Sequence, residues 1–107
     1  MTININSQDG NCSVLIDDDM TIYEVIEQKA KLLEVLKGHQ QLEIDLSDVN
    51  EMDTAGLQVL LLVKQTANRT DKNVLITAHS PATLDVIDRY NLAAFFGDPV
   101  MILSSGN

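Results

Sequence analysis

The residues best suited to chemistry are a carboxylate and a hydroxyl at the start of an apolar helix. Asp53 and Thr54 precede an apolar run, at the position where a helix needs an N-cap. The first backbone N–H groups of a helix have no internal partner, and the aligned peptide dipoles leave partial positive charge there. A hydroxyl at this point is therefore a suitable acceptor for a phosphate group, although the same residue types also serve as simple helix caps.

A strand and an acidic turn must position this hydroxyl. Apolar and acidic residues alternate from Leu42 to Leu46, which predicts a strand with one buried face. We expect Asp45, at the end of the strand, and Asp53, in the turn, to be the carboxylates nearest the Thr54 hydroxyl. Their simplest role is capping and turn hydrogen bonding, and the functional alternative is that they shape the local charge that a kinase reads.

The helix after the turn is apolar around most of its circumference. Residues 57–63 are almost all aliphatic, so most of them must be core, while one or two remain for docking. Gly56 has two interpretations: it permits close approach of a backbone or a partner, or it is only a weak helix start.

At these residues the chain resembles the STAS domain family, whose best-studied members are bacterial anti-sigma factor antagonists. The motif stands here as Asp45-Leu46-Ser47-Asp48-Val49, three further residues, and Asp53-Thr54-Ala55-Gly56-Leu57. The resemblance continues through residues 74–77 and 79–82 to Tyr90-Asn91-Leu92. It implies an α/β fold, the STAS fold, with a mixed four- to five-stranded sheet, an N-terminal hairpin and packed helices.

The resemblance also implies a function. Thr54 occupies the family's phosphoacceptor position, so the chain is expected to be a non-enzymatic module that switches partners when Thr54 is phosphorylated. The implied partner is an anti-sigma factor of the serine/threonine-kinase type, which would use ATP and magnesium, and a phosphatase would reset the switch. The partner-binding residues carried over from the motif are Asp45, Asp53, Thr54, Ala55, Gly56 and Leu57.

One difference from the family supports an alternative. Thr54 replaces the commoner serine, and its turn is similar to the Asp-Thr-Gly-Gly-Leu of the small STAS subunit of bacterial phospholipid-transport ABC complexes. That subunit binds and regulates a transport ATPase. A second difference is the segment 17–20, three aspartates and a methionine, where many antagonists have Gly-Glu-Leu/Ile-Asp at an edge that contributes to partner contact.

The remaining elements are predicted from the periodicity of apolar residues and from residues typical of turns and helix caps. Alternating apolar residues at 3–5 and 12–16 flank Asp9-Gly10, which indicates a hairpin. Thr21 and Glu24 have capping-box spacing, and Gly38 is expected to end the helix that follows. Apolar residues stand in this helix at helical intervals: Ile22, Val25, Ile26, Ala30, Leu33 and Leu36.

Two more elements and a possible third complete the chain. The apolar run Val74–Ala78 predicts a strand covered on both faces. Ser80 and Pro81 predict the start of a last helix, with Leu84, Ile87 and Tyr90 facing inward and Asn91 as a left-handed stop. Met101–Leu103 is a candidate for a last short strand.

Composition limits the classes of partner. The chain has 107 residues, with 16 acidic and seven basic side chains and a formal charge of −9. Without a basic cluster, nucleic acid and anionic membrane surfaces would repel it, and the negative field favours a partner with a basic docking surface. We expect one domain over residues 1–107, and no cofactor follows from the motifs.

The expected location is the cytoplasm. The N-terminus has no basic flank or apolar core, which argues against a signal peptide, and the apolar run 59–63 is too short to span a bilayer. Cys12, the single cysteine, has no partner for an internal disulfide and is compatible with a reducing compartment.

An acidic run supplies the strongest competing signal. From Asp17 to Thr21 the chain matches the Asp-x-Asp-x-Thr pattern of haloacid-dehalogenase-type phosphotransferases, but the short chain offers only Lys72 and Arg89 as basic residues after Asp71. A response-regulator receiver would need a lysine after its last strand, and none follows there. We therefore interpret the run as a solvated turn before the Thr21 cap, and we expect no enzyme.

Overall fold

The computed structural model describes residues 3–8 and 10–92, and within them strands and helices alternate after an N-terminal hairpin. The strands are β1 (Ile3–Gln8), β2 (Asn11–Ile16), β3 (Gln41–Leu46) and β4 (Asn73–His79), and the helices are α1 (Val25–Lys37), α2 (Thr54–Arg69) and α3 (Pro81–Arg89). The sheet order is β1-β2-β3-β4, with β1 antiparallel to β2 and the other pairs parallel. The predicted mixed sheet is thus confirmed, while the candidate strand at 101–103 lies outside the described residues.

Alternation in the strands gives the sheet one buried face. Leu42, Ile44 and Leu46 are fully buried, and the side chains between them are half-buried. Parallel pairing sets Leu42 beside Cys12 and Val74, so buried residues of neighbouring strands share one face. Contacts of α1 with β3, and of α2 and α3 with β4, place the helices against that face.

The prediction that β4 is covered on both faces is wrong. Val74 and Ile76 are buried, but Leu75 is 37% exposed and Thr77 is exposed. The run is continuous in hydropathy because Leu75 and Ala78 are apolar, although only one face of β4 meets the helices.

The apolar residues at helical intervals in and just before α1 do not all share one buried face. Val25 and Leu36 are buried, whereas Ile22 and Ile26 are 61% and 81% exposed. The buried face of α1 comprises Val25, Gln28, Leu32, Val35 and Leu36. The pattern read from the sequence therefore mixed two stripes that lie on different sides of the helix.

The ends of the helices follow their local signals, with three corrections. Helix α1 does not begin at the predicted Thr21 cap: its N-cap is Glu24, which makes no side-chain cap hydrogen bond. Ser80 is the N-cap of α3, its hydroxyl accepts from the Thr83 amide at 3.2 Å, and Asn91 has the left-handed φ of 56° expected of a stop. Tyr90, expected to face inward, is 48% exposed. Gly38 does cap α1, but with a right-handed φ of −89°, so its place does not depend on glycine's conformational freedom.

A lysine satisfies the carboxyl end of α1. The Lys72 ammonium donates to the carbonyl oxygens of Leu36 and Lys37 at 2.7 and 2.9 Å. Neither carbonyl has a partner inside α1, although the Leu36 carbonyl also accepts from the His39 amide at 3.3 Å. The helix dipole places partial negative charge on both, which favours a cation here. One side chain thereby ties the α2–β4 turn to α1.

We predict that Lys72→Met lowers the free energy of unfolding by about 1–2 kcal/mol, because it removes two charge-assisted hydrogen bonds and the dipole interaction. Urea denaturation followed by circular dichroism measures the change. Lys31→Met is the matched control, since Lys31 makes only an exposed ion pair with Glu34 at 3.8 Å. Equal losses in both variants would contradict the capping role of Lys72.

Candidate functional site

The hydroxyl singled out by the sequence lies at the exposed start of α2. Thr54 is the first residue of the helix, and its side chain is exposed. Asp53 is the N-cap, and its Oδ1 accepts a hydrogen bond from the Gly56 amide at 3.1 Å. Because the cap fixes where the helix begins, it also fixes the Thr54 hydroxyl at the positive end of the helix dipole.

The second oxygen of Asp53 reaches another part of the chain. Its Oδ2 accepts from the Ile22 amide at 3.0 Å, in the turn between β2 and α1. One carboxylate therefore satisfies the start of α2 and a neighbouring turn together. Removing it would leave both backbone amides without this partner.

The segments 17–24 and 47–53, which we call the paired loops, are also joined by backbone hydrogen bonds. The Met20 amide donates to the Glu51 carbonyl at 2.8 Å, and the Asp53 amide donates to the Met20 carbonyl at 3.2 Å. Met20 and Met52 form an isolated parallel bridge. The paired loops thus extend the parallel pairing of the sheet up to the residue that caps α2.

Gly56 is required by the close contact of α2 with the paired loops. A Cβ at this position would lie 2.2 Å from the Met20 carbonyl oxygen and 2.9 Å from the Met20 Cβ. No real Cβ tolerates the first distance, and the atom in the way is backbone. Of the two interpretations of Gly56, the structure supports close approach, with this chain's own Met20 as the neighbour.

Two polar residues that support the paired loops were not recognised as such in the sequence. Asp19 accepts from the Glu51 amide at 3.1 Å, so this part of the acidic run is a brace and not a freely solvated turn. Gln28 is fully buried, and its Nε2 donates to the Asp19 carbonyl at 2.8 Å. The sequence signal for the buried Gln28 was its position three residues after Val25, because residues at this spacing lie on the same face of a helix.

The Asp45 carboxylate is hydrogen-bonded to a different turn from the one that contains Thr54. Its carboxylate accepts from the amide and the hydroxyl of Ser47 at 2.8 and 2.6 Å, closing a turn after β3. It also lines a depression on the open face of the sheet, together with Ser13 and Thr77. Asp53, and not Asp45, is the carboxylate whose hydrogen bonds hold the start of α2.

The other residues of the predicted site divide between surface and core. Ala55 is half-buried, while Gly56 is buried and Leu57 is only 4% exposed. Leu57 therefore contributes to the site by anchoring the helix. Thr54 and Ala55 are the members of the Asp-Thr-Ala-Gly-Leu turn, after its capping aspartate, whose side chains reach the surface.

The surface beside Asp53 is acidic. A depression between the paired loops and α3 is lined by the carboxylates of Glu51, Asp53 and Asp85, together with Arg89. Arg89 is ion-paired with Asp85, so its charge does not offset the other two. This edge suits a positively charged partner group.

His79 ends β4 at this same edge of the sheet. Its Nδ1 lies 3.4 Å from the Thr83 hydroxyl, and its buried Nε2 has no hydrogen-bond partner among the described residues. Burial lowers the pKa of His79 below its ordinary value of 6.5, because the charged form loses solvation.

Two further findings concern the part of the chain that the structure describes. No helix in residues 3–8 and 10–92 is long and apolar enough to cross a membrane. Within the same residues, no three His, Cys, Asp or Glu side chains are grouped so that they could hold a metal ion.

Comparisons with known proteins give a family and a fold. The family model described as "Mlab, STAS domain" matches residues 3–103. No curated protein sequence matches the chain. An anti-sigma factor antagonist from Mycobacterium paratuberculosis superimposes with a TM-score of 0.80 at 21% identity, over 91% of this chain and 83% of that chain.

Two structures of SpoIIAA are also similar. The anti-sigma factor antagonist SpoIIAA in its unphosphorylated form gives a TM-score of 0.73 at 11% identity, covering 96% of this chain and 92% of that one. The Bacillus cell fate determinant SpoIIAA in the phosphorylated form gives 0.70 at 11% identity, covering 98% and 97%. At these identities the likeness shows the fold alone, and it confirms the predicted fold class.

We predict that Asp53→Ala lowers the free energy of unfolding by about 1–2 kcal/mol, because it removes the cap of α2 and the bond to the Ile22 amide. Asp53→Asn, which keeps one carbonyl oxygen, should lose less. Asp48→Ala is the matched control, since Asp48 is an exposed aspartate of the same loops. Chemical denaturation measures all three, and a loss in Asp53→Ala no greater than the control's would contradict the bridging role.

We predict that His79 makes the protein less stable as the pH falls below about 6.5. The folded state has the lowered pKa, so the unfolded state binds more protons in this window, and the free energy of unfolding decreases with falling pH. Thermal unfolding across this range, compared between the wild type and His79→Gln, isolates the effect from that of the carboxylates. An unchanged pH dependence in the variant would show that His79 does not contribute.

Proposed function

The chain belongs to the STAS domain family, and from this premise we propose that it is a non-enzymatic regulatory module, switched between protein partners by phosphorylation of Thr54. The proposed partner is a cytoplasmic anti-sigma factor that is also a serine/threonine kinase. The observation that carries the proposal is the exposed hydroxyl of Thr54, held at the first position of α2 by the Asp53 cap.

The proposed reaction needs no catalytic group from this chain. The Thr54 oxygen attacks the γ-phosphorus of ATP bound to the kinase, ADP leaves, and the kinase accepts the hydroxyl proton. The module supplies an exposed nucleophile on a rigid helix start. A phosphatase would return Thr54 to the hydroxyl form.

The charge change explains why phosphorylation would release the partner. A phosphate adds about −1.5 to −2 charges beside Asp53 and Glu51. The helix dipole returns about 0.3–1 kcal/mol for an exposed anion, whereas burying the dianion under a partner without paired cations costs several kcal/mol. Since each 1.4 kcal/mol is about tenfold in affinity, the desolvation cost is enough to abolish a micromolar complex.

The comparison with SpoIIAA supports a switch that leaves the fold intact. SpoIIAA has been solved in unphosphorylated and phosphorylated forms, and this chain matches both with similar TM-scores, 0.73 and 0.70. In the proposed mechanism the phosphate likewise acts at the surface of a folded module and does not unfold α2.

A second candidate function rests on the Asp53-Thr54-Ala55-Gly56-Leu57 turn, with threonine in place of serine. The chain would then be the regulatory STAS subunit of a phospholipid-transport ABC complex, and the start of α2 would contact the ATPase. Genomic neighbours separate the two: a sigma factor and kinase gene, or permease and ATPase genes.

We predict that Thr54→Ala retains the partner of the wild type and Thr54→Glu loses it, because only the second places a charge at the contact. The measurement is co-purification from native lysate with identification of the captured protein. Gln65→Glu is the matched control, since Gln65 is another exposed residue of α2 and the substitution adds the same charge. Equal capture by the Thr54 variants, or loss of the partner in the control, would contradict a switch centred on Thr54.

A further inference from the structure

Helix α1 carries a second apolar stripe that lies mostly outside the core, with only its last member, Leu33, packed against the core. Ile22, Ile26, Ala30 and Leu33 are spaced by four, four and three residues, so they lie along one side of the helix and of the turn before it. Ile22 and Ile26 are 61% and 81% exposed, and Leu33 is half-buried. An aligned stripe of this kind is not needed to fold α1, since its buried face is made by other residues.

Helix α2 faces this stripe with one of its own. Ala55, Val59, Leu62 and Thr66 are spaced by four, three and four residues, again along one side of a helix. Val59 is a core residue that is only 4% exposed, whereas the other three are half-buried. The two stripes line two depressions between α1 and α2, and Ala30 lines both of them. We call this surface the α1–α2 trough.

The charges along the trough are opposite to those of the Thr54 edge. Lys29, Lys37 and Lys72 line it, against a single carboxylate, Glu34, which is ion-paired with Lys31. In a chain with a formal charge of −9 this is a local excess of cations. A complementary occupant is therefore apolar on the side that enters the trough and acidic beside it.

We propose that the α1–α2 trough binds an amphipathic α-helix of a protein partner, with acidic residues flanking its apolar face. A helix lying between α1 and α2 would place side chains at i, i+4 and i+7 against the two stripes. The 13 residues of α1 span about 20 Å, which matches about four turns of such a helix. Both depressions of the trough open to solvent, as the docking of a helix requires, whereas sites for small apolar ligands are usually enclosed.

The trough adjoins the proposed switch. Thr54 precedes Gln58 by one helical turn, and Gln58 lines the same depression as Ile22 and Ile26. A phosphate on Thr54 would therefore stand near one end of the bound helix and repel its acidic flank. The inference rests on the proposed function in treating the chain as a protein-binding module, but the trough can be tested without any phosphorylation.

The test uses two stapled helical peptides of about 18 residues with the same leucine face, one with glutamates and one with lysines beside it. Fluorescence anisotropy measures their binding to the full chain. We expect the acidic peptide to bind at least about tenfold more tightly than the basic one. Failure of the acidic peptide to bind at up to about 1 mM, or equal binding of the two peptides, would overturn the proposal.

Matched variants locate the binding surface. Ile26→Ser should weaken the acidic peptide at least about fivefold, whereas Leu75→Ser, a substitution of an exposed leucine on the open face of the sheet, should not. Lys29→Glu should weaken it as well, whereas Arg69→Glu, at an exposed residue outside the trough lining, makes the same change in net charge and should not. Equal effects within either pair, or displacement of the peptide by laurate at equal concentration, would overturn a helix-binding trough.

The tests distinguish a failure of the trough proposal from a failure of the Thr54 switch. If the acidic peptide binds the wild type and Thr54→Glu alike, with the trough variants behaving as expected, the trough stands and its coupling to Thr54 is wrong. If the peptide does not bind but the Thr54 variants differ in capture of the native partner, the switch stands and the trough proposal is wrong.

Discussion

The Met20 carbonyl oxygen occupies the space where a side chain on residue 56 would begin, and the site depends on this contact. It brings the turn before α1 against the first turn of α2, with 2.2 Å between that oxygen and any Cβ that Gly56 would carry. The same carbonyl accepts from the Asp53 amide, and the Asp53 carboxylate then spans both segments. Added volume in such a contact typically costs 1–3 kcal/mol, so it is a strong constraint on what the turn can contain.

Thr54 owes both its exposure and its fixed position to this arrangement. The neighbouring residues in the sequence have structural roles: Asp53 caps the helix, and Gly56 and Leu57 are buried. A hydroxyl on a loop would also be exposed, but its direction would vary. Here the helix start is held by hydrogen bonds on one side and by core packing on the other, so the proposed kinase and partner would meet the same geometry.

The elements that depend on local signals could be predicted from the sequence, and those that depend on packing could not. The alternation of β3, the Asp53 cap and the Ser80-Pro81 start of α3 are all local, and the structure has them. The helical spacing of Ile22, Val25 and Ile26 did not show which of them are buried, because only the position of α2 decides that. The Met20–Gly56 contact joins residues 36 positions apart, so Gly56 alone hinted at it.

The exposed apolar stripe of α1 and the acidic edge at Asp53 divide the surface of the molecule by charge. An exposed apolar stripe beside lysines leaves apolar surface in contact with water, which favours a partner that covers it. The acidic edge at Asp53 and Glu51, by contrast, is well solvated without a partner. The two surfaces meet at the start of α2, where the dipole can favour an added anion by only about 0.3–1 kcal/mol. In the proposed switch, a dianion there would act on both surfaces at once: it would make the acidic edge more negative, and it would oppose an acidic helix in the trough. One modified side chain would therefore influence two surfaces of opposite charge preference, because Thr54 stands at their boundary.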